Sequence, residues 1–255
     1  MSTLELGIDG NIAVVTINRP EVRNAIDRPT AIALADAFRR FDSDEALSVA
    51  ILTGVGGTFC AGMDLKAAAT SDRGTRISEE GDGPLGCSRM LLKKPVIAAV
   101  EGHAVAGGLE LALFCDMRVA ARNATFGVYC RRFGVPLMDG GTIRLPRLIG
   151  MSHAMDMILT GRGVSGEEAF RMGLANRITE PGKTLEVAKE IARQIATFPQ
   201  RCMRSDRMSA YECWGKPLDV AFPIEFRLAL ETIKTHETRE GIARFVSGEG
   251  RHGKF

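Results

Sequence analysis

The stretch Gly102-His-Ala-Val-Ala-Gly-Gly-Leu-Glu-Leu-Ala-Leu-Phe-Cys-Asp116 sets a single carboxylate, Glu110, in an otherwise apolar run, three residues after Gly107. A strand-like segment, Pro95-Val-Ile-Ala-Ala-Val100, leads into it, and Leu109, Leu111, Leu113 and Phe114 beyond the glycines predict a buried helix. A helix that opens at Gly107-Gly108 leaves backbone N–H groups unpaired where no side chain blocks approach. Those donors and the helix dipole favour negative charge on a ligand. Positions three apart share a helix face, so the Glu110 carboxylate is expected beside the Gly107 N–H. A base next to an anion hole suits proton transfer alpha to a carbonyl. A plainer reading stays open: a first-turn acid stabilised by the dipole, with its head in water.

Outward from this stretch, Leu4–Ile8 and Ile12–Ile17 read as strands around the hairpin signal Asp9-Gly10-Asn11. A helix is expected from Pro29 to Phe41, with Ile32, Leu34, Ala35, Phe38 and Phe41 on its apolar face. Val49-Ala-Ile-Leu-Thr53 is a further strand. Residues 67–86 are rich in Ser, Thr, Gly and charge without periodicity, which predicts a loop or frayed helix bordering a site. Ser165-Gly-Glu-Glu168 is a capping-box pattern opening a short helix. Residues 184–198 have helical spacing, and the remainder, including 217–245, reads as mainly helical. Strands alternating with helices and then giving way to helices define an α/β class.

The 255 residues are 45% hydrophobic, enough for one large core with a small extension. A net charge of +2 argues against a nucleic-acid partner. The first residues lack a basic region followed by an apolar one, and no apolar run reaches bilayer length, so neither a signal peptide nor a membrane partner is expected. Six cysteines, at 60, 87, 115, 130, 202 and 213, form no close pair or metal-like group with the four histidines, which points to a reducing, cytoplasmic compartment and no metal. His103 is expected to pack or to line a pocket entrance. A dinucleotide fingerprint fails because Phe59 follows Gly54-Val-Gly56-Gly57 where a third glycine should stand. No Walker-A lysine pattern occurs, and Gly150-Met-Ser152-His lacks the spacing of a nucleophile elbow.

A second segment, Thr58-Phe-Cys-Ala-Gly-Met-Asp-Leu-Lys66, narrows the reading. Together with the Gly107–Glu110 element, Asn18-Arg-Pro20, Asn24-Ala25, Lys94–Val100, Gly140-Gly-Thr142, Leu159-Thr-Gly-Arg162 and the tail from Glu240-Gly241 to Phe245, it resembles the crotonase family, the enoyl-CoA hydratase/isomerase superfamily. The resemblance runs over nearly the whole chain. It implies a crotonase-type spiral of strand-strand-helix repeats over residues 1–195, with a C-terminal helical trimerisation region at 196–255. It also implies a homotrimer or a hexamer built from two trimers, and an acyl-CoA thioester as substrate, with coenzyme A part of the substrate and no separate cofactor.

The same resemblance implies that the backbone N–H groups of Met63 and Gly107 hold the thioester oxygen. Two such donors meet the need of an enolate, whose oxygen carries more charge than the ground-state carbonyl. It implies CoA contacts at Arg23, Ala61 and Lys66, the two cations serving as phosphate partners. Family hydratases resemble one another in using two glutamates. Glu110 matches the first, but Cys130 stands where the second would be, after Phe126-Gly127. Asp139, just before Gly140-Gly141, resembles the catalytic aspartate of the family's dienoyl-CoA isomerases, while Met-Asp-Gly-Gly also suits a turn or helix N-cap. Four mechanisms stay open here. Glu110 and Asp139 hydrate a 2-enoyl thioester; Glu110, with or without Asp139, shifts a double bond; the protein binds acyl-CoA without turnover; or Cys130 acts as a nucleophile activated by Arg131 and Arg132.

Overall fold

The computed structural model describes residues 2–69 and 73–250. Their contacts divide into two compact units, residues 1–193 and 194–255. The chain opens with β1 (Leu4–Asp9) and β2 (Ile12–Ile17), an antiparallel hairpin turned at Gly10-Asn11 with Gly10 at φ 62°. There follow α1 (Arg28–Ser43), β3 (Val49–Gly54) and the one-turn α2 (Leu65–Ala68). Then come β4 (Val96–Val100), β5 (His103–Val105), α3 (Gly107–Phe114), β6 (Met117–Ala121) and β7 (Thr125–Gly127). The first unit ends with α4 (Gly141–Thr160, broken at Gly150), β8 (Gly163–Ser165), α5 (Gly166–Arg171), β9 (Arg177–Thr179) and most of α6 (Thr184–Thr197). The second unit continues with α7 (Gln200–Cys213), α8 (Leu218–Ile233) and α9 (His236–Ser247).

Six strands form one sheet in the order β1-β2-β3-β4-β6-β9, parallel throughout except for the first hairpin. A strand covered on both faces reads as continuous hydrophobic sequence, and Val96–Val100 is buried at every position. A second sheet runs β5-β7-β8. Between the two sheets the chain passes directly from β4 to β5 and on into α3, a strand-strand-helix step. Residues 67–86, expected as a loop or frayed helix, contribute the end of α2 and otherwise no helix or strand among those described; residues 70–72 lie outside the described residues.

Local capping follows the sequence closely, with two departures. Asp27 caps α1 by accepting from the Thr30 N–H at 3.1 Å, but Ile32 projects away from the core, its neighbours Leu34, Ala35, Phe38 and Phe41 sufficing to bury the face. Ser165 accepts from the Glu168 N–H at 3.2 Å, as a capping box requires. The return half of the box is missing, because the Glu168 carboxylate turns to the Arg162 guanidinium at 2.6 and 3.0 Å.

Three buried side chains hold the elements that matter for the site. Arg118 donates to the Cys115 carbonyl at 2.7 Å, to Ala112 at 3.3 Å and to Leu174 at 2.6 Å, so a cation satisfies the C-terminal carbonyls of α3. Arg19 pairs with Asp64 at 3.0 Å and with Asp27 at 3.4 Å, tying the loop before α1 to the start of α2. Asn24, fully buried at φ 57°, accepts from the Arg19 N–H at 2.9 Å and donates to the carbonyls of Val55 at 2.9 Å and Thr58 at 2.6 Å. Asn tolerates the left-handed region that this turn demands. Replacing Asn24 by Ala removes three buried hydrogen bonds and adds backbone strain, so Asn24→Ala should lower stability by about 3 kcal/mol. Urea unfolding should show a reduced midpoint with an unchanged slope.

Candidate active site

Helix α3 begins where the chain leaves β5 through Ala106, a non-glycine residue at φ 54° and ψ −125°. The Ala106 N–H is held by the Gly127 carbonyl at 2.8 Å, and its own carbonyl accepts from Leu109 and Glu110. This strained corner is sustained by bonds on both sides of it. It leaves the Gly107 N–H at the first helical position, with no partner among the described residues.

The Cys60–Asp64 segment runs alongside. Cys60 pairs with Ala104 of β5, and Met63 pairs with Ile26, whose own N–H and carbonyl bond Gly62 and Asp64 at 2.8 and 2.9 Å. The Met63 N–H is thereby left over, again without a partner among the described residues. Glycine permits the two segments to meet. A Cβ on Gly62 would lie 2.7 Å from the Gly107 nitrogen, and one on Gly108 would lie 2.0 Å from the Cys60 carbonyl oxygen. Met63 and Gly107 both line a cavity of about 190 Å³, together with Ala61, Glu110, Cys130 and Asp139.

Glu110 is only 2% exposed, which excludes the water-facing first-turn acid. Its Oε1 accepts from the backbone N–H groups of Asp139 and Gly141, both at 2.8 Å, at the N-terminus of α4. A Cβ at position 141 would lie 2.9 Å from Oε1, so a larger residue there would have to displace the Glu110 carboxylate. Burial is the largest influence on the carboxyl and lifts its pKa from 4.5 to about 7. The Gly141 N–H opposes this rise, and the neighbouring Asp139 charge adds to it.

Asp139 does not cap its own helix, as its place before the glycine pair suggests. The α4 cap is Gly140 at φ 96°, without a side-chain bond, and the dipole faces Glu110 instead. Asp139 Oδ1 accepts from the Leu85 N–H at 3.0 Å and from the Ser88 hydroxyl. Burial again dominates and raises the Asp139 pKa, with the Ser88 bond opposing. Arg144 clamps this arrangement through the carbonyls of Asp139 at 3.0 Å and Ser88 at 2.8 Å. The Glu110 carboxyl also feels the Met138 N–H, and both Glu110 and Asp139 line the cavity.

Cys130 lies on the cavity wall in a 3-10 turn (Tyr129–Phe133), and burial followed by the Glu110 charge raises its thiol pKa. Arg131 opposes this only weakly, its guanidinium donating to Ile158, and Arg132 donates to Gly161. An activated thiolate is therefore not what the two arginines create. Arg23 and Lys66 are exposed, and the Arg23 carbonyl accepts from Ala61 at 3.1 Å, which brings the loop at 23 beside the cavity wall. His103 is half-buried in β5 and lies outside the cavity lining. Leu85 and Ser88 are not singled out in the sequence, although Leu85 falls in the segment expected to border a site; they sit about fifty residues from the aspartate they hold, and no local pattern marks them.

A profile of the enoyl-CoA hydratase/isomerase family matches residues 7–254. Enoyl-CoA hydratase EchA19 of Mycobacterium tuberculosis is 36% identical over 96% of each chain. The (E)-benzylidenesuccinyl-CoA hydratase of Thauera aromatica is 34% identical over 98% of this chain and 97% of its own. The crystal structure of enoyl-CoA hydratase EchA1 from Mycobacterium marinum superimposes with a TM-score of 0.92 at 37% identity, covering 97% of this chain and 96% of that one. The chain belongs to the enoyl-CoA hydratase/isomerase family and has the crotonase fold.

The raised Glu110 pKa has a consequence for stability. The folded state retains a proton that the unfolded chain releases near pH 4.5, so this contribution is complete below that value and is lost as the pH rises through about 7. Glu110→Gln keeps the side chain neutral throughout. The variant should gain on the parent between these two values, by on the order of 3 kcal/mol at pH 8. Urea unfolding at acid and alkaline pH checks this, and an advantage independent of pH would contradict it.

Proposed function

We propose that this chain hydrates 2-enoyl-CoA thioesters, with the Met63 and Gly107 N–H groups holding the thioester oxygen and Glu110 and Asp139 managing the water. One observation carries the reading: a buried carboxylate, anchored at Oε1 by two backbone N–H groups, lines the same cavity as two residues whose amides are unpaired among the described residues. Water adds its oxygen to C3 while one carboxylate accepts a water proton. A proton is delivered to C2, and charge passes transiently onto the thioester oxygen. Nothing is oxidised or reduced, so water and thioester suffice as reactants. A group with a pKa of about 7 serves equally as acid and base at neutral pH. Asp139 stands in for the second glutamate, and Cys130 contributes packing.

Arg23 and Lys66 lie at the surface on either side of Ala61 in the chain, as contacts for the CoA phosphates require, and binding should weaken with salt. The runner-up, a double-bond shift by Glu110 alone, is favoured by the missing second glutamate. Glu110→Gln should lower hydration, followed as loss of conjugated absorbance, by about a thousandfold or more. It should also abolish solvent deuterium exchange at C2. Asp139→Asn should impair hydration while exchange persists. Full hydration by Asp139→Asn would overturn the two-carboxylate version and leave Glu110 as the one acid-base group, whereas isomerisation without hydration in the parent protein would put the isomerase reading in front.

The C-terminal helical region, 196–255, is assigned to trimer assembly. Leu218, Phe222 and Phe226 recur every fourth residue on α8 and are each more than half exposed in the single chain, an apolar stripe that another copy would cover. Sedimentation equilibrium should return three or six times the 27.5 kDa chain mass, and a monomer would refute the assignment. The compartment proposed is the cytoplasm. No helix among the described residues is long and apolar enough to cross a membrane.

A further inference from the structure

The two acids of the cavity are mounted alike, but on different parts of the chain. Glu110 Oε1 takes two main-chain N–H groups at the start of α4. Asp139 Oδ1 takes one main-chain N–H, from Leu85 at 3.0 Å, and one hydroxyl, from Ser88. Ser88 is 1% exposed, and among the described residues it is the one side-chain donor to the Asp139 carboxylate. It stands in a 3-10 turn (Cys87–Arg89), just after a tight loop closed by the Gly86 N–H on the Gly83 carbonyl at 2.8 Å. Glycine lets that loop press inward. A Cβ on Gly86, at φ 79°, would run into the Ala31 carbonyl of α1. One on Gly83 would strike the Ser88 hydroxyl and lie 2.8 Å from Asp139 Oδ1. Arg144 completes the frame from α4, donating to the carbonyls of both Ser88 and Asp139.

We infer that Ser88 is a positioning residue for the second acid: seated between α1 and α4, its hydroxyl pins one oxygen of Asp139 and keeps that carboxylate at the cavity in its charged form. The inference deepens the hydratase reading above and rests on the role given there to Asp139. A donor on a carboxylate favours the charged form, and such bonds are stronger than those between neutral groups. Burial raises the Asp139 pKa, and the Ser88 bond leads the influences against it, ahead of the Leu85 N–H and the charges of Arg89 and Arg144. The other titratable groups at hand are Glu110 on α3, Tyr129 and Cys130 on the cavity wall, and Cys87 beside Ser88. None of these four brings a positive charge. The mount also reaches Glu110, which takes the Asp139 N–H.

The test combines Ser88→Ala with Asp139→Asn, singly and together, in hydration of a short 2-enoyl-CoA. Ser88→Ala removes one oxygen and leaves the Leu85 bond in place. It should lower kcat about tenfold with KM within about twofold. It should also move the acid limb of kcat/KM to higher pH, because losing a donor raises the pH at which Asp139 takes a proton. Gly83→Ala, which crowds the same hydroxyl, should behave alike, and Ser88→Thr, which keeps it, should recover most of the rate. In the Asp139→Asn background Ser88→Ala should cost less than about twofold, since the charge that the hydroxyl serves is gone. A readout free of turnover stands beside these: the infrared band of a protonated carboxyl that Asp139→Asn removes should appear at higher pH in Ser88→Ala than in the parent. An equal rate loss with and without Asp139, or a band that does not move, would overturn the inference. If the band moves but the parent hydrates no enoyl thioester, the hold on Asp139 stands and the hydratase reading fails.

Discussion

The site exists because two stretches of backbone approach more closely than side chains normally allow. Gly62 faces the nitrogen of Gly107, and Gly108 faces the carbonyl of Cys60, at separations a Cβ would violate. That contact brings two unpaired amides to one cavity from positions more than forty residues apart. It is held from outside by bonds that ask little of any ligand. Ile26 laces Gly62 and Asp64, Ala104 pairs with Cys60, and the Ala106 corner is fixed by Gly127. In the proposed reaction, main-chain donors held this way would need no reorganisation as charge develops on the thioester oxygen.

The electrostatics of Glu110 reflect a contest that burial wins. The carboxylate occupies the N-terminus of α4, where two N–H groups and the helix dipole favour the charged form. Removal from water and a neighbouring acid favour the neutral form more strongly. The outcome, a proton held with moderate affinity near neutrality, is the property a group needs if it is to donate and accept in one cycle. The same bonds couple the two carboxylates mechanically. Asp139 gives its N–H to Glu110 while its own side chain is held by Leu85 and Ser88. A shift in either acid is therefore felt by the other.

Where the chain departs from the family's two-glutamate pattern, the structure offers a physical account. Cys130 sits on the cavity wall as a protonated thiol, small and weakly polar, and Asp139 reaches the same cavity from the opposite end of the Gly134–Gly140 loop. A shorter acid supplied from the start of α4 thus accompanies a neutral side chain at the usual place. Among the described residues no Lys, Arg or His lines the cavity, and Arg89 and Arg144 act on Asp139 from behind its wall.

Much of this architecture was legible in local pattern. The apolar run behind Gly107-Gly108 marked a buried helix because every residue of α3 is enclosed, and Asp9-Gly10-Asn11 marked its hairpin because Gly10 needs a positive φ. Ser165 marked a helix start because a hydroxyl three residues before a free N–H has one obvious partner. The family resemblance covered the glycine-rich segments, whose spacing reflects backbone contacts. What stayed hidden depends on contacts between distant residues. The position of Asp139 suggested a cap, yet its bonds run to Leu85 and Ser88, and Glu110 takes the helix end instead. Ile32 fitted the helical period but faces outward, because the core ends at the row beside it. Spacing along a chain determines which faces and corners can form. Which buried acid receives which amide is set only once the packed elements bring those groups within hydrogen-bonding distance and shut out the water that would otherwise satisfy them.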